Sequence, residues 1–327
     1  MRPPEFWRKD GRRAPAIEAL LAPVSLAYEW AGAARIRNAK PARVDAPVIC
    51  VGNVTLGGVG KTPIVRAIVK QMRESGVEAH VLSRGYGGTQ AGPLRVDPKG
   101  HNAKDVGDEP LLHALDGPTW IAHDRAAGAR AAVAAGAQAI VMDDGFQNPG
   151  LAKDLSILVF DASAGLGNEK VFPSGPLREP MKAARARADL VILFGDEPAP
   201  WLNGFDKPVL RAKLRPIGDV PTGPLVAFAG IGRPEKFFDT LMAMKAEVSE
   251  ALPFPDHHAF SESDRILLDR YAQERKATLI TTEKDYARLP ADWRAHVKTL
   301  PVAATFADAA PLNDALAPLL ARAREAR

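Results

Sequence analysis

An apolar run, Val48-Ile49-Cys50-Val51, opens directly onto Gly52-Asn53-Val54-Thr55-Leu56-Gly57-Gly58-Val59-Gly60-Lys61-Thr62-Pro63, and no other stretch of the chain constrains its fold as tightly. A glycine-rich turn between a strand and a helix aims consecutive backbone N–H groups at one spot, which suits phosphate oxygens. A lysine at its end reaches the β- and γ-phosphates, and the threonine hydroxyl binds Mg²⁺. The helix is announced by Ile64, Ile68 and Met72 at helical spacing, with Pro63 tolerable in its first turn. Thr55, Leu56, Gly57, Gly58, Val59, Gly60, Lys61 and Thr62 are therefore the expected nucleotide-binding residues, for ATP or GTP. The common form of this loop has glycine where Thr55 stands.

Composition adds bounds. A chain of 327 residues with 46% hydrophobic and 25% charged side chains suits about two globular domains. The one cysteine, Cys50, lies in the apolar strand before the loop, which excludes a disulfide framework and a cysteine metal cluster and predicts a buried thiol. Charge is concentrated at the start: residues 1–43 hold nine Lys/Arg against four Asp/Glu, a net of +5, whereas the whole chain is +4. The near-neutral remainder gives no reason to expect nucleic acid.

Between the basic clusters Arg8-Lys9-Arg12-Arg13 and Arg35-Arg37-Lys40 lies a stretch whose only charges are Glu18 and Glu29. Ile17, Leu20, Leu21, Val24 and Tyr28 fall on one helical face, and Glu18, Ser25 and Glu29 on another. Two glutamates and a central Pro23 argue against a membrane span, and export as a signal peptide would part a nucleotide site from its nucleotide. The segment reads as a basic amphipathic helix lying on a membrane surface.

Downstream, apolar runs at Ala79–Leu82, Trp120–Ala122, Ala139–Met142, Ser156–Phe160 and Leu190–Phe194 alternate with helical stretches such as Asp124–Ala135. That rhythm predicts an α/β fold with a doubly wound, mostly parallel sheet of the P-loop NTPase kind. Proline and glycine crowd residues 198–224, and strands resume at Leu225–Ala229 and Thr278–Thr281 before a last helix from Pro311. The expected organisation is a membrane-associating segment over 1–45, a nucleotide-binding core over 46–205, and a smaller α/β domain over 206–327 that closes over the site.

The strand at 139–142 ends in Asp143-Asp144-Gly145-Phe146-Gln147. A carboxylate at the carboxyl end of a strand is where an open parallel sheet presents a ligand for Mg²⁺ or its water, so Asp143 leads, with Asp144 and Glu179 behind it. Other reactive residues stand in glycine- or proline-bounded loops: Ser83-Arg84-Gly85-Tyr86-Gly87, Val106-Gly107-Asp108-Glu109-Pro110, Pro173 to Pro180, and Asp256-His257-His258. The paired histidines lack a third ligand at zinc spacing.

Taken together, and in this order, these segments resemble the tetraacyldisaccharide 4′-kinase family of Gram-negative bacteria, over residues 47 to about 290. Thr-Glu-Lys-Asp at 282–285 belongs to the same set, and Thr55 fits the family's form of the loop. Asn148 stands where the family usually has histidine. The resemblance implies transfer of the ATP γ-phosphoryl group, with Mg²⁺, to the 4′-hydroxyl of an acylated glucosamine disaccharide 1-phosphate at the cytoplasmic face of the inner membrane, with no obligatory protein partner. It further implies catalytic roles for Asp108 and His257 in taking up the hydroxyl proton, with Lys61 and Arg178 neutralising phosphate charge. The rival reading is a P-loop switch ATPase of the partitioning or metallochaperone kind, acting through a protein partner. Those proteins place a lysine where Leu56 stands. A GTPase would need Asn-Lys-x-Asp, and the nearest match, Thr282-Glu283-Lys284-Asp285, lacks the asparagine.

Overall fold

The computed structural model describes residues 4–8 and 14–325; Lys9, Arg12 and Arg13 of the first basic cluster lie outside the described residues. In chain order the elements are α1 (Pro15–Arg37), β1 (Val48–Gly52), α2 (Lys61–Glu74), β2 (Ala79–Ser83), β3 (Leu94–Arg95), α3 (Ala103–Val106) and α4 (Asp108–Asp116). Then come β4 (Thr119–Ile121), α5 (Arg125–Ala134), β5 (Ala139–Asp143), β6 (Leu155–Asp161), α6 (Met181–Arg185), β7 (Leu190–Phe194) and β8 (Val209–Pro216). The remainder is β9 (Pro224–Ala229), α7 (Pro234–Ala243), β10 (Glu247–Pro253), α8 (Glu262–Arg275), β11 (Thr278–Thr282), α9 (Glu283–Arg288), α10 (Ala291–Arg294), β12 (Val297–Leu300), β13 (Val302–Phe306) and α11 (Ala310–Glu325).

Nine strands form one sheet in the order β13-β8-β7-β6-β1-β5-β2-β4-β3, with β1 at its centre. All its pairings are parallel except the two outermost, β13 with β8 and β3 with β4. Strands covered on both faces need no polar side, which is why β1, β2, β5 and β7 are buried at every position. One face packs Ile64, Ile68 and Met72 of α2 and Leu312, Leu316 and Leu319 of α11. The other receives Ala129 and Ala132 of α5 and Ala184 of α6, small side chains that let the helices approach closely.

A second, four-stranded parallel sheet has the order β10-β9-β11-β12, around Phe228, Phe260, Leu268 and Trp293. This corrects the boundary expected at 206. The strand β8 extends the large sheet, and β13 and α11 return to it, so the smaller sheet spans 224–300 and is inserted in the larger unit. The proline-flanked segment 209–216 reads as a linker because Arg211, Lys213 and Arg215 interrupt it, yet its alternate residues Leu210 and Ala212 are buried in the core.

Helix α1 lies against the loop 166–174 by its polar side. The Ser25 hydroxyl donates to Val171 O and meets Ser174 Oγ at 2.8 Å, and the Lys170 ammonium reaches Glu18 at 2.7 Å. The expected apolar face is turned outward, with Leu20 77% and Val24 55% exposed, but Leu26 and Trp30, which lie off that face, are exposed as well. The expected division into one apolar and one polar face is therefore incomplete: the loop's polar groups hold Glu18 and Ser25 inward, and apolar side chains are exposed on more than one of the other sides. Among the described residues no helix is long and apolar enough to cross a membrane.

Candidate active site

The loop between β1 and α2 is set by backbone geometry. Gly60 has φ +88°, and a Cβ there would lie 2.7 Å from the Phe194 ring, so no other residue fits. Gly60 also offers no side chain to cap α2, which leaves the first-turn N–H groups open to an anion. The Asn53 amide donates to Thr55 O at 2.7 Å and fixes the loop from inside. The segment 175–180 laces onto it, with Leu56 N donating to Pro176 O and Arg178 N to Val54 O. Lys61 is buried, its ammonium 3.4 Å from Asn53 Oδ1 and 3.7 Å from Asp144 Oδ1.

Because Val51 pairs with Asp143 across β1 and β5, the sheet sets the Asp143 carboxylate beside the start of the loop. Asp143 is fully buried. Its Oδ2 lies 3.0 Å from His113 Nε2, while Oδ1 is without a hydrogen-bond partner. Burial alone would raise this carboxyl, but the hydrogen bond and charge of His113, then Lys61 and Lys284, hold it below the usual carboxylate value. Asp144, at φ +53°, turns the other way, and one Arg178 nitrogen is 2.9 Å from both its oxygens. Glu179 is engaged by Arg187 and by Gln147 Nε2 at 3.0 Å, and Gln147 in turn donates to Asn53 O. Asn148 accepts from Gly150 N at 3.0 Å and shapes the local turn.

The third part bridges the two sheets. Asp108 begins α4, and its Oδ2 is 2.8 Å from His257 Nδ1 and 2.6 Å from Arg288 Nε. Burial would raise the Asp108 carboxyl, but the His257 hydrogen bond and the Arg288 charge hold it below the ordinary value. His257 has φ +58°, an uncommon conformation for a side chain with a Cβ, and its N–H donates to Gly230 O. The neighbouring His258 pairs with Asp264 at 3.0 Å, so the two histidines do separate jobs.

Several participants escape sequence reasoning. Arg288 is nearly fully buried; besides Asp108 it binds Gly230 O and Asp285 Oδ1, at 2.8 and 2.9 Å. Its only sequence signal is the three-residue spacing from Asp285. Glu283 and Asp285, in the first turn of α9, are both ion-paired: Asp285 accepts from Gly230 N and pairs with Arg288, and Glu283 holds Arg66 of α2 at 2.8 Å. Arg125, at the start of α5, is buried near Arg84, Asp144 and Asp143, with its Nε unpaired. Burial and Arg84 push its guanidinium down to about 10, so it stays charged at neutral pH. Lys61, Arg178 and Arg125 thus concentrate positive charge around the loop.

Among the described residues no group of three or more His, Cys, Asp or Glu could hold a metal ion by itself. Mg²⁺ is usually bound through one or two carboxylates plus substrate phosphates and water. The orphaned Oδ1 of Asp143 is an oxygen donor of the right chemistry for it.

The glycine-rich loop runs from the central strand of a mostly parallel sheet into α2, and the strand beside it ends in Asp143, which is the P-loop nucleotide-binding architecture. Residues 17–321 match the family model for tetraacyldisaccharide-1-P 4′-kinase. The chain belongs to that family. It is 48% identical over 329 residues to a tetraacyldisaccharide 4′-kinase of Hyphomonas neptunium, covering 99% of each chain. A Rhodospirillum centenum relative of the same name is 50% identical, over 98% of this chain and 97% of its own. The fold is similar to the crystal structure of Aquifex aeolicus LpxK in complex with ATP, with a TM-score of 0.74 at 26% identity, covering 93% of this chain and 99% of that one.

Proposed function

We propose that this protein transfers the γ-phosphoryl group of ATP to the 4′-hydroxyl of an acylated glucosamine disaccharide 1-phosphate, giving the bis-phosphorylated lipid A precursor. The observation that carries the reading is the Asp108–His257 pair, 2.8 Å apart, an acid from the large-sheet unit and an imidazole from the small-sheet unit. A switch ATPase has no sugar hydroxyl to deprotonate.

The residues suit the steps. Thr55 to Thr62 cradle the phosphates with backbone N–H groups, and Lys61 lies against their expected path. Thr62 and Asp143 would hold Mg²⁺, which when bound neutralises the β- and γ-phosphate oxygens. Arg178, held by Asp144 in this arrangement, supplies further positive charge. Because His257 and Arg288 keep Asp108 ionised, its carboxylate serves best to orient the imidazole: in the tautomer whose Nδ1–H donates to Oδ2, beside the Arg288 guanidinium 3.2 Å away, Nε2 is left to accept the hydroxyl proton. Glu179, committed to Arg187 and Gln147, supports the loop through Asn53 more readily than a metal.

The lipid end is supported by α1. Its exposed apolar face suits the acyl region of a bilayer, and the flanking arginines suit anionic headgroups at the cytoplasmic face of the inner membrane. Between α1 and the loop 166–185 lies a cleft of about 700 Å³, walled by Leu26, Leu166, Val171, Met181 and Trp201 with Lys182 and Arg185 also lining it.

The test is transfer of label from γ-labelled ATP to purified tetraacyl disaccharide 1-phosphate in detergent micelles, with Lys61→Ala as blank. Label at the 4′ position is the expected result; lipid-independent hydrolysis with unlabelled lipid would favour the switch ATPase.

A further inference from the structure

A buried histidine contacts the metal-side carboxylate, and none of the roles above uses it. His113 lies in the middle of α4, 2% exposed, and its Nε2 is 3.0 Å from Asp143 Oδ2. Its neighbours Leu111, Leu112 and Ala114 are packed among Val96, Val106, Ile121 and Ala287, so the helix that carries it has little freedom to shift. The pair makes a poor stabilising device, since burying a carboxylate with one oxygen unpaired costs more than an apolar contact in the same space. It makes sense if that oxygen finds its partner only when the site is loaded.

We propose that His113 is a positioning residue: by engaging Oδ2 of Asp143 it fixes the carboxylate rotamer and presents Oδ1 to the Mg²⁺ of the bound nucleotide. The inference rests on the reading of Asp143 as a metal carboxylate. Buried groups that hold a metal ligand by its far atom are a general means of setting its orientation, and their loss typically lowers metal affinity or activity by about 10- to 100-fold. The placement has a second effect. Asp108 opens α4 and His113 follows five residues later, about 7.5 Å along the axis and about 140° around it. One short helix therefore contacts the proton-accepting pair with its first residue and the metal side with its sixth. The spacing between the two arms of the site is set by a single rigid element.

Three variants test this: His113→Leu removes the hydrogen-bonding nitrogen at similar bulk, His113→Gln places an amide nitrogen near the position of Nε2, and His113→Asn keeps a polar group that falls short of Asp143. The readout is binding of a fluorescent ATP analogue to the full-length protein as free Mg²⁺ is titrated, with binding in EDTA as the internal reference. His113→Leu and His113→Asn should need about 10- to 100-fold more Mg²⁺ for half-maximal enhancement, with EDTA binding unchanged and His113→Gln near wild type. In steady state the change should fall on the Mg²⁺ requirement and kcat, with the lipid KM unmoved. If His113→Leu fails to fold, the Gln and Asn pair decides alone, and equal Mg²⁺ dependence in those two overturns the proposal. An Asp143→Asn control separates the levels: wild-type Mg²⁺ dependence there removes Asp143 from the metal site, and this inference with it.

Discussion

Asp108 Oδ2 and His257 Nδ1 lie 2.8 Å apart although 149 positions separate the residues in the chain. One is the first residue of a helix on the large sheet and the other follows a strand of the small one, so their meeting depends on how the two units dock. Arg288 completes the junction from a third element, 2.6 Å from the same carboxylate oxygen.

Replacing Asp108 by alanine removes the group that orients His257 and leaves Arg288 without its partner there. Turnover should fall about 10²- to 10⁴-fold, the usual weight of positioned acid–base catalysis, with the KM for ATP little changed. Steady-state kinetics in mixed micelles measures both, and a near-normal kcat would remove Asp108 from the mechanism.

Lys61→Ala should act differently, because its buried ammonium faces the loop that receives the phosphates. ATP affinity and turnover should both drop, as read by equilibrium nucleotide binding beside the kinetic assay.

Arg288→Ala takes the ion-pair partner from the fully buried Asp285, whose carboxyl is already pushed up by burial, leaving it only the Gly230 N–H and the Thr282 hydroxyl. Loss of one partner of a buried pair costs about 3–5 kcal/mol, so denaturant unfolding should shift to markedly lower midpoint. An unchanged midpoint would mean that Asp285 takes up a proton or finds another partner at little cost.

How much of this was readable in the chain depends on where a residue's meaning resides. The central strands were legible because a strand covered on both faces must be apolar throughout, and the phosphate loop because its glycines encode backbone geometry. Cys50 was legible for the same reason; it is fully buried, and burial pushes its thiol up to about 12. β8 was not, since an outer strand with charges at Arg211, Lys213 and Arg215 between two prolines is indistinguishable from a linker until its partner β13 is known. Arg288 and His113 were invisible because their roles consist of contacts made across 180 and 30 positions.

Acid should weaken the fold through His80. Burial, then Arg95 and Arg73, push its imidazole down to about 4, whereas in the unfolded chain it titrates near 6.5. Between those values the unfolded state binds more protons, so stability should fall as pH drops from about 6.5 toward about 4. Denaturant titrations of wild type and His80→Gln over that range should show a flatter dependence in the variant.

Membrane recovery should follow the outward face of α1. Leu20→Glu with Trp30→Glu touches only exposed side chains, so ATP binding and unfolding midpoint should hold while flotation with anionic vesicles decreases. Equal flotation of variant and wild type would assign the helix a purely structural part.

The return of β13 and α11 to the large sheet orders the protein's own manufacture. During synthesis the segment 224–300 leaves the ribosome before residues 302–325, so the outer strand β8 and the α2 face stay uncovered while the smaller sheet is already available to fold. Sequences that cover a core late extend the time its apolar surface is open to other chains. The nucleotide-binding core, although it begins near residue 48, is thus among the last parts of the described chain to be finished.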